Sequence, residues 1–131
     1  MESQNMSEKT YRIWNLSVGW TVFAVALFTF GSTVEPTASF WDAGEYIATS
    51  AKLQIGHPPG APFFQMMGAF FALFASSPEK VALMVNSMSV FSSAFAILFL
   101  FWTLTLLLQK LPSFKSLDTL TDRIGFFGSA A

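Results

Sequence analysis

The fold is decided by residues 81–109, VALMVNSMSVFSSAFAILFLFWTLTLLLQ, which contain 29 consecutive side chains without a charge. As an α-helix this stretch would be about 43 Å long, at about 1.5 Å per residue. The hydrocarbon core of a bilayer is about 30 Å thick and accommodates a helix of about 20 apolar residues. The stretch therefore predicts a transmembrane helix over 81–109.

Two further uncharged runs cover residues 13–34 and 53–78. The first has 22 residues and no proline, and it is longer than the apolar core of a signal peptide, which has about 7–15 residues. It predicts another transmembrane helix over 13–34. The other run is interrupted by HPPGAP at 57–62, because three prolines cannot lie within a regular helix. Its remainder, 63–75, would be a helix of about 20 Å, too short to span and typical of an interfacial segment.

The short apolar helix carries a stripe of small or weakly polar side chains at spacings of three and four. These residues are Gln65, Gly68, Ala72 and Ser76. Small residues allow another helix to approach closely, so the stripe predicts helix packing. A buried apolar helix without a special role explains the same pattern, and both interpretations stay open.

The distribution of lysine and arginine predicts the orientation in the membrane. The predicted tails, 1–12 and 110–131, contain five of these residues, whereas the predicted loop, 35–80, contains two. Positive residues concentrate on the cytoplasmic side, so we expect both tails in the cytoplasm and the loop outside. The last residues turn apolar again and predict the start of a truncated third helix. The predicted class is an all-α membrane protein with two transmembrane helices, joined by an extracytoplasmic loop that holds one polar and one interfacial helix.

The composition excludes several other classes of protein. Only 11% of the 131 residues are charged, against about 25% in an ordinary soluble domain. The net charge of −1 leaves no basic surface for nucleic acid, and the high apolar content excludes disorder. Since there is no cysteine, disulfide and thiol chemistry are excluded as well.

A polar helix is predicted over 42–54, where acidic residues fit a capping pattern. Asp42, Glu45, Thr49 and Lys52 follow at spacings of three, four and three, which places them on one helix face. Two carboxylates one turn apart repel, which raises the pKa of one of them unless a cation lies between them. The pair could hold a divalent metal, supply a general base of raised pKa, or merely cap the helix.

The single histidine of the chain precedes a rigid turn. His57 is followed by Pro58, Pro59 and Gly60, the predicted structural turn. A histidine titrates near neutral pH, so it could bind a phosphate when protonated or orient a carboxylate when neutral. The neighbouring glycines lack the spacing of a phosphate-binding loop, so a nucleotide site is not predicted.

The loop resembles the protein O-mannosyltransferase-like family of polytopic membrane proteins. The resemblance rests on FWDAGEYIA at 40–48 and AKLQIGHPPGAPFF at 51–64, which match the family's acidic element and its His-Pro-Pro-Gly motif. It continues through VNSMSVFSS at 85–93 and covers most of the chain. Such proteins are abundant in Bacteroidetes, with animal relatives, and belong to the GT-C class of glycosyltransferases.

The resemblance implies a function and roles for individual residues. A sugar would pass from a polyprenyl-phosphate donor to a protein hydroxyl on the extracytoplasmic side of the bacterial cytoplasmic membrane. Asp42 would be the general base or a metal contact, with Glu45 as its catalytic neighbour and second possible ligand. His57 would lie near the donor.

Three more loop residues are candidates for substrate binding. Lys52 is the nearest cation on the acidic face and would stabilise the phosphate, and Trp41 and Tyr46 are the aromatic neighbours of the two carboxylates. A divalent metal is the one cofactor that the resemblance leaves open. The partners implied are the lipid bilayer, the polyprenyl-phosphate-linked sugar, the protein acceptor and further transmembrane helices.

Family members have many more spans and a large soluble C-terminal part. The chain therefore corresponds to their N-terminal portion, and we expect it not to catalyse the transfer alone. The alternative is a small two-span membrane protein without catalysis, which packs with partner helices through the stripe at 65, 68, 72 and 76.

Overall fold

The computed structural model describes residues 2–110, with the side chains of residues 8–110. Every regular element among these residues is helical, which confirms the all-α class. The elements are α1 (Glu2–Ser32), α2 (Ala43–Lys52), α3 (Pro62–Ala72), a 3₁₀ turn (Pro78–Lys80) and α4 (Val81–Lys110). The predicted start of a third apolar helix at the C-terminus lies outside the described residues.

Two of the helices are long and apolar enough to cross a membrane. The candidate spans are Glu8–Ser32, of 25 residues, and Pro78–Lys110, of 33 residues. Large apolar side chains on both helices are exposed, among them Phe28 at 77% and Phe99 at 57%. Apolar surface of this extent needs lipid or further helices as its neighbour. The chain is therefore an integral membrane protein with two candidate transmembrane helices.

The ends of the helices follow local rules that the hydropathy pattern does not contain. Helix α1 begins at Glu2, so residues 2–12 of the expected tail are helical. Helix α2 ends at Lys52 because Leu53 takes the left-handed conformation that commonly terminates a helix, with φ of 49°. Helix α3 begins at Pro62, since proline suits the first turn of a helix. It ends at Ala72, so Ser76, the last residue of the predicted stripe, lies outside the helix.

The chain divides into two compact units, which within the described residues comprise 2–26 with 94–110, and Leu27–Ser93. In the first unit α1 and α4 run antiparallel, since Trp20 contacts Trp102 and Phe23 contacts Phe95, with ring centroids 6.2 and 4.7 Å apart. A Cβ on Gly19 would lie 2.6 Å from the indole nitrogen of Trp102. Glycine at this position therefore allows the indole to pack against the α1 backbone.

The second unit is built around the contact between α2 and α3. Gly68 of α3 lies against Ser50 of α2, which is fully buried, and a Cβ on Gly68 would lie 2.8 Å from the Cβ of Ser50. Gln65 is also buried, and its amide donates a hydrogen bond to the Thr49 hydroxyl at 3.2 Å. The predicted packing role of the stripe thus holds at Gln65 and Gly68, and the helix that they contact is α2.

The segment between α1 and α2 is fixed by one side chain of α4. The Asn86 amide donates hydrogen bonds to the backbone carbonyls of Glu35 and Thr37, at 2.8 and 3.0 Å. Asn86, near the polar start of α4, therefore holds the segment that leads into α2.

Candidate functional site

The structure brings together two carboxylates and the histidine. Asp42 precedes α2, Glu45 lies in its first turn, and His57 opens the turn between α2 and α3. One ligand atom from each of the three side chains lies within 4.8 Å of the others. The candidate site is therefore the cluster Asp42, Glu45 and His57, which is outside both candidate spans.

Glu45 is engaged through both of its carboxylate oxygens. The backbone N–H of His57 donates to Oε1 at 2.7 Å, and Nδ1 of the His57 ring lies 2.7 Å from Oε2. The side chains remain partly accessible, with 52% of His57 and 38% of Glu45 exposed. A screened pair at such a position adds little to the stability of the fold, so its value lies in fixing the orientation of the ring.

The contact between Glu45 and His57 shifts the pKa of each residue so that its charged form is favoured. The hydrogen bond from the His57 backbone, followed by that from its ring, lowers the pKa of Glu45. The hydrogen bond to Glu45 and then its negative charge raise the pKa of His57, with a smaller contribution from Asp42. The sequence predicts a raised pKa for one of the two carboxylates unless a cation lies between them, and the pKa of Glu45 shifts in the opposite direction. His57 supplies the positive charge and the two hydrogen-bond donors that lower the pKa of Glu45.

Asp42 occupies the N-cap position of α2 without acting as a side-chain cap. Its carboxylate makes no capping hydrogen bond, and among the described residues it has no hydrogen-bond partner. The predicted capping interaction of Asp42 is therefore wrong, because the backbone at Asp42 is helical, with φ of −77° and ψ of −2°, whereas a capping residue usually has an extended backbone. The exposed carboxylate is available to a ligand.

The turn that carries His57 is closed by a hydrogen bond between its ends. The Gly60 N–H donates to the His57 carbonyl at 2.8 Å, and the bond between Pro58 and Pro59 is cis. Gly60 has a φ of 74°, a conformation that glycine adopts at no steric cost. The structure thus has a tight turn at the predicted position.

Three uncharged residues that the sequence did not single out as site residues support the cluster, namely Thr49, Gly56 and Gln65. The Thr49 hydroxyl donates to the Glu45 carbonyl at 2.8 Å and accepts from Gln65 of α3. A Cβ on Gly56 would lie 3.1 Å from both Gln65 Nε2 and Glu45 Oε1, so glycine makes room for the chain between the two helices. For Gln65, the signal in the sequence is a polar amide within the apolar sequence of α3.

The other predicted substrate-binding residues lie apart from the hydrogen-bonded pair. Lys52, at the far end of α2, is exposed and forms no ion pair with another described residue. The Tyr46 ring packs edge-on against Phe64 of α3, at 5.3 Å between centroids. Trp41 is 96% exposed and has a φ of 57°, a left-handed conformation that costs about 1–3 kcal/mol in residues other than glycine.

The donor set of the cluster suits some divalent metals better than others. Two carboxylates and one imidazole fit a transition metal such as Mn²⁺ or Zn²⁺, since Mg²⁺ and Ca²⁺ prefer oxygen ligands alone. Because His57 already uses both oxygens of Glu45, a metal there would have to share or replace these contacts. Asp42 is the ligand that needs no such exchange.

The fold and the site define a class, namely integral membrane proteins with an acidic site on the segment between their first two long apolar helices. Comparison with known proteins identifies a family within this class. The model of the protein O-mannosyl-transferase TMEM260 N-terminal domain matches residues 42–131. The chain belongs to this family, which confirms the resemblance found in the sequence.

One curated relative is the protein O-mannosyl-transferase tmem260 of Dictyostelium discoideum. It is 30% identical over 86 residues, which cover 65% of this chain and 10% of the relative. The match thus spans about a tenth of the length of that relative. No solved structure matches the chain.

Proposed function

We propose that this chain is the N-terminal membrane portion of a GT-C glycosyltransferase, which transfers a mannose-like sugar from a polyprenyl-phosphate donor to a protein hydroxyl. The family supports a transferase, because its model and the curated relative both carry the name protein O-mannosyl-transferase. Within the chain, the proposal is carried by the exposed, unpartnered Asp42 carboxylate beside the Glu45–His57 pair.

The chemistry assigns Asp42 the role of general base. The acceptor hydroxyl gives its proton to the Asp42 carboxylate as its oxygen attacks the anomeric carbon of the sugar. The bond between this carbon and the donor phosphate oxygen breaks, and the electron pair leaves with the polyprenyl phosphate. A positioned base of this kind contributes about 10²–10⁴-fold to the rate.

The leaving phosphate requires positive charge near its oxygens. His57 is suited to this task because its pKa is raised and 52% of its side chain is exposed. Lys52 is a further cation on the same helix, and Trp41 and Tyr46 would line the approach of the sugar. A divalent metal held by Asp42, Glu45 and His57 would itself supply charge stabilisation.

The membrane arrangement follows from the same proposal. Residues 35–80 would lie on the extracytoplasmic face of a bacterial cytoplasmic membrane, where polyprenyl-phosphate sugars are presented. The support is the lysine and arginine distribution, with five residues in the two flanking segments and two in the loop. The donor site would be completed by further transmembrane helices.

The test compares two changes of a carboxylate to an amide in the full-length protein. Asp42→Asn should reduce sugar transfer by about 10²–10⁴-fold without changing expression. Glu35→Gln is the matched control, since among the described residues the Glu35 carboxylate accepts hydrogen bonds only from Thr37, which an amide oxygen can also accept. Transfer by Asp42→Asn within a few fold of the control would refute the role of Asp42.

The alternative function, a two-span protein that binds partner helices through a small-residue stripe, loses support from the packing. Gln65 and Gly68, the first half of that stripe, are buried against α2 of the same chain. A partner helix would have to displace α2 to reach them. We therefore retain the transferase as the proposed function.

A further inference from the structure

We propose that Glu45 is a positioning residue, which fixes the tautomer and the orientation of His57 so that the ring meets the substrate through Nε2. The inference rests on the proposed function for the existence of a substrate, but it is argued from hydrogen bonds within the chain. It gives the two carboxylates different tasks, although they lie one helical turn apart.

The contact between Glu45 and the ring fixes the protonation of Nδ1. An ionised carboxylate has acceptor oxygens only, so the nitrogen that it contacts must carry the proton. Oε2 lies 2.7 Å from Nδ1 of His57, so Nδ1 carries a proton in both the charged and the neutral ring. Among the described residues no hydrogen-bond partner is found for Nε2, which leaves this atom to a ligand.

The other carboxylate oxygen of Glu45 contacts the backbone of His57. Oε1 accepts from the His57 N–H at 2.7 Å, so one carboxylate holds both the main chain and the ring of the same residue. Two contacts on one residue remove the freedom of the ring to flip and exchange its nitrogens. An orienting carboxylate behind the ring is a common device for histidines that act through their second nitrogen.

Glu45 itself is held in place by Thr49 and Gln65. Thr49 binds the Glu45 carbonyl at 2.8 Å and is bound by the buried Gln65. The carboxylate thus projects from an anchored turn of α2. With both oxygens occupied, Glu45 is poorly placed to take a proton from an acceptor, and Asp42 remains for that reaction.

The direct test reads the tautomer without any enzymatic assay. The full-length protein is labelled with ¹⁵N-histidine and placed in lipid nanodiscs, and the ring resonances of His57 are assigned by their absence in His57→Ala. When the ring is neutral, we expect Nδ1–H in the wild type and Nε2–H in Glu45→Gln, because the amide NH₂ then donates to Nδ1. An Nε2–H tautomer in the wild type, or no difference between the two proteins, would overturn the proposal.

The second test uses transfer kinetics to separate positioning from base catalysis. Glu45→Gln should raise the KM for the donor, by about 10- to 100-fold if the loss matches that of an orienting carboxylate behind a metal-bound histidine, and change kcat less. In the His57→Ala background the same change should have no further effect, because Glu45 acts through the ring. A loss confined to kcat, or an equal loss in both backgrounds, would make Glu45 a catalytic residue and refute the proposal. If the wild type has the expected tautomer but transfers no sugar, the proposed function fails and Glu45 is confined to ordering the turn.

Discussion

The contact between Gly68 and Ser50 makes a quantitative prediction about the scaffold of the site. A Cβ on Gly68 would lie 2.6 Å from Ser50 Oγ and 2.8 Å from Ser50 Cβ. The hydroxyl can rotate away, but the Cβ is fixed to the backbone of α2. Gly68→Ala therefore forces α2 and α3 apart, and such overpacking costs about 1–3 kcal/mol.

The matched control is Gly31→Ala, since Gly31 is also helical and a Cβ there would meet no atom within 4 Å. Replacing glycine by alanine within a helix stabilises it by about 1 kcal/mol, and this gain applies to both variants. The difference in unfolding free energy between them should therefore isolate the overpacking, with Gly68→Ala less stable by about 1–3 kcal/mol. Equilibrium unfolding in detergent, followed by helical circular dichroism, measures this difference.

A compensating change tests the cause of the destabilisation. Ser50→Gly removes both atoms that the new Cβ would meet, so the double variant should recover most of the overpacking energy as a coupling term. Ser50→Gly alone loses about 0.5 kcal/mol of helix propensity, which the double-mutant cycle subtracts. The reasoning is refuted if Gly68→Ala is as stable as Gly31→Ala, or if the coupling energy is zero within error.

Three further predictions concern the loop. Trp41→Gly should stabilise the fold by about 1 kcal/mol, because it relieves the left-handed backbone, yet lower sugar transfer; an unchanged rate would remove Trp41 from the substrate site. Asn86→Leu loses two hydrogen bonds to backbone carbonyls and should destabilise the protein by about 1 kcal/mol in an unfolding titration; no loss would contradict the anchoring role. Glu45→Gln should lower the pKa of His57, followed by NMR, towards its ordinary 6.5. The His57 contribution to stability is lost as pH rises through its raised pKa, and that of Glu45 is lost as pH falls through its lowered pKa. The unfolding free energies of wild type and Glu45→Gln should therefore differ most between pH 4.5 and 6.5. A difference in unfolding free energy that does not depend on pH would refute the pairing.

The long helices could be predicted because their signal is local. The uncharged residues 81–109 require a helix whatever their neighbours are, and the observed α4 is Val81–Lys110. The helix ends were harder to predict. The residue that terminates α2 in the left-handed conformation is Leu53, and not the glycine or asparagine usually found at such a position. Hydropathy does not predict such backbone conformations, which depend on the direction of the following turn.

The acidic site was predictable in its members but not in its contacts. Spacing along one helix pairs Glu45 with Asp42, whereas the structure pairs it with His57, which is twelve residues further along the chain. That pairing depends on the direction of the turn after α2, which is set by tertiary packing at Gly56. A resemblance of motifs identifies the acidic element and the histidine together but does not say which atom binds which.

The division of labour between the carboxylates follows from how the site is anchored. Thr49 and Gln65 are both 7% exposed and join α2 to α3 by neutral hydrogen bonds. Burying charges there would be costly, whereas hydrogen-bonded neutral groups can be buried without loss. Since these contacts do not titrate, the backbone of Glu45 is held independently of pH, and only the contacts of its carboxylate with His57 change with protonation. An anchor of this kind lets Glu45 orient His57 while the Asp42 carboxylate stays free, which is the condition that a general base requires.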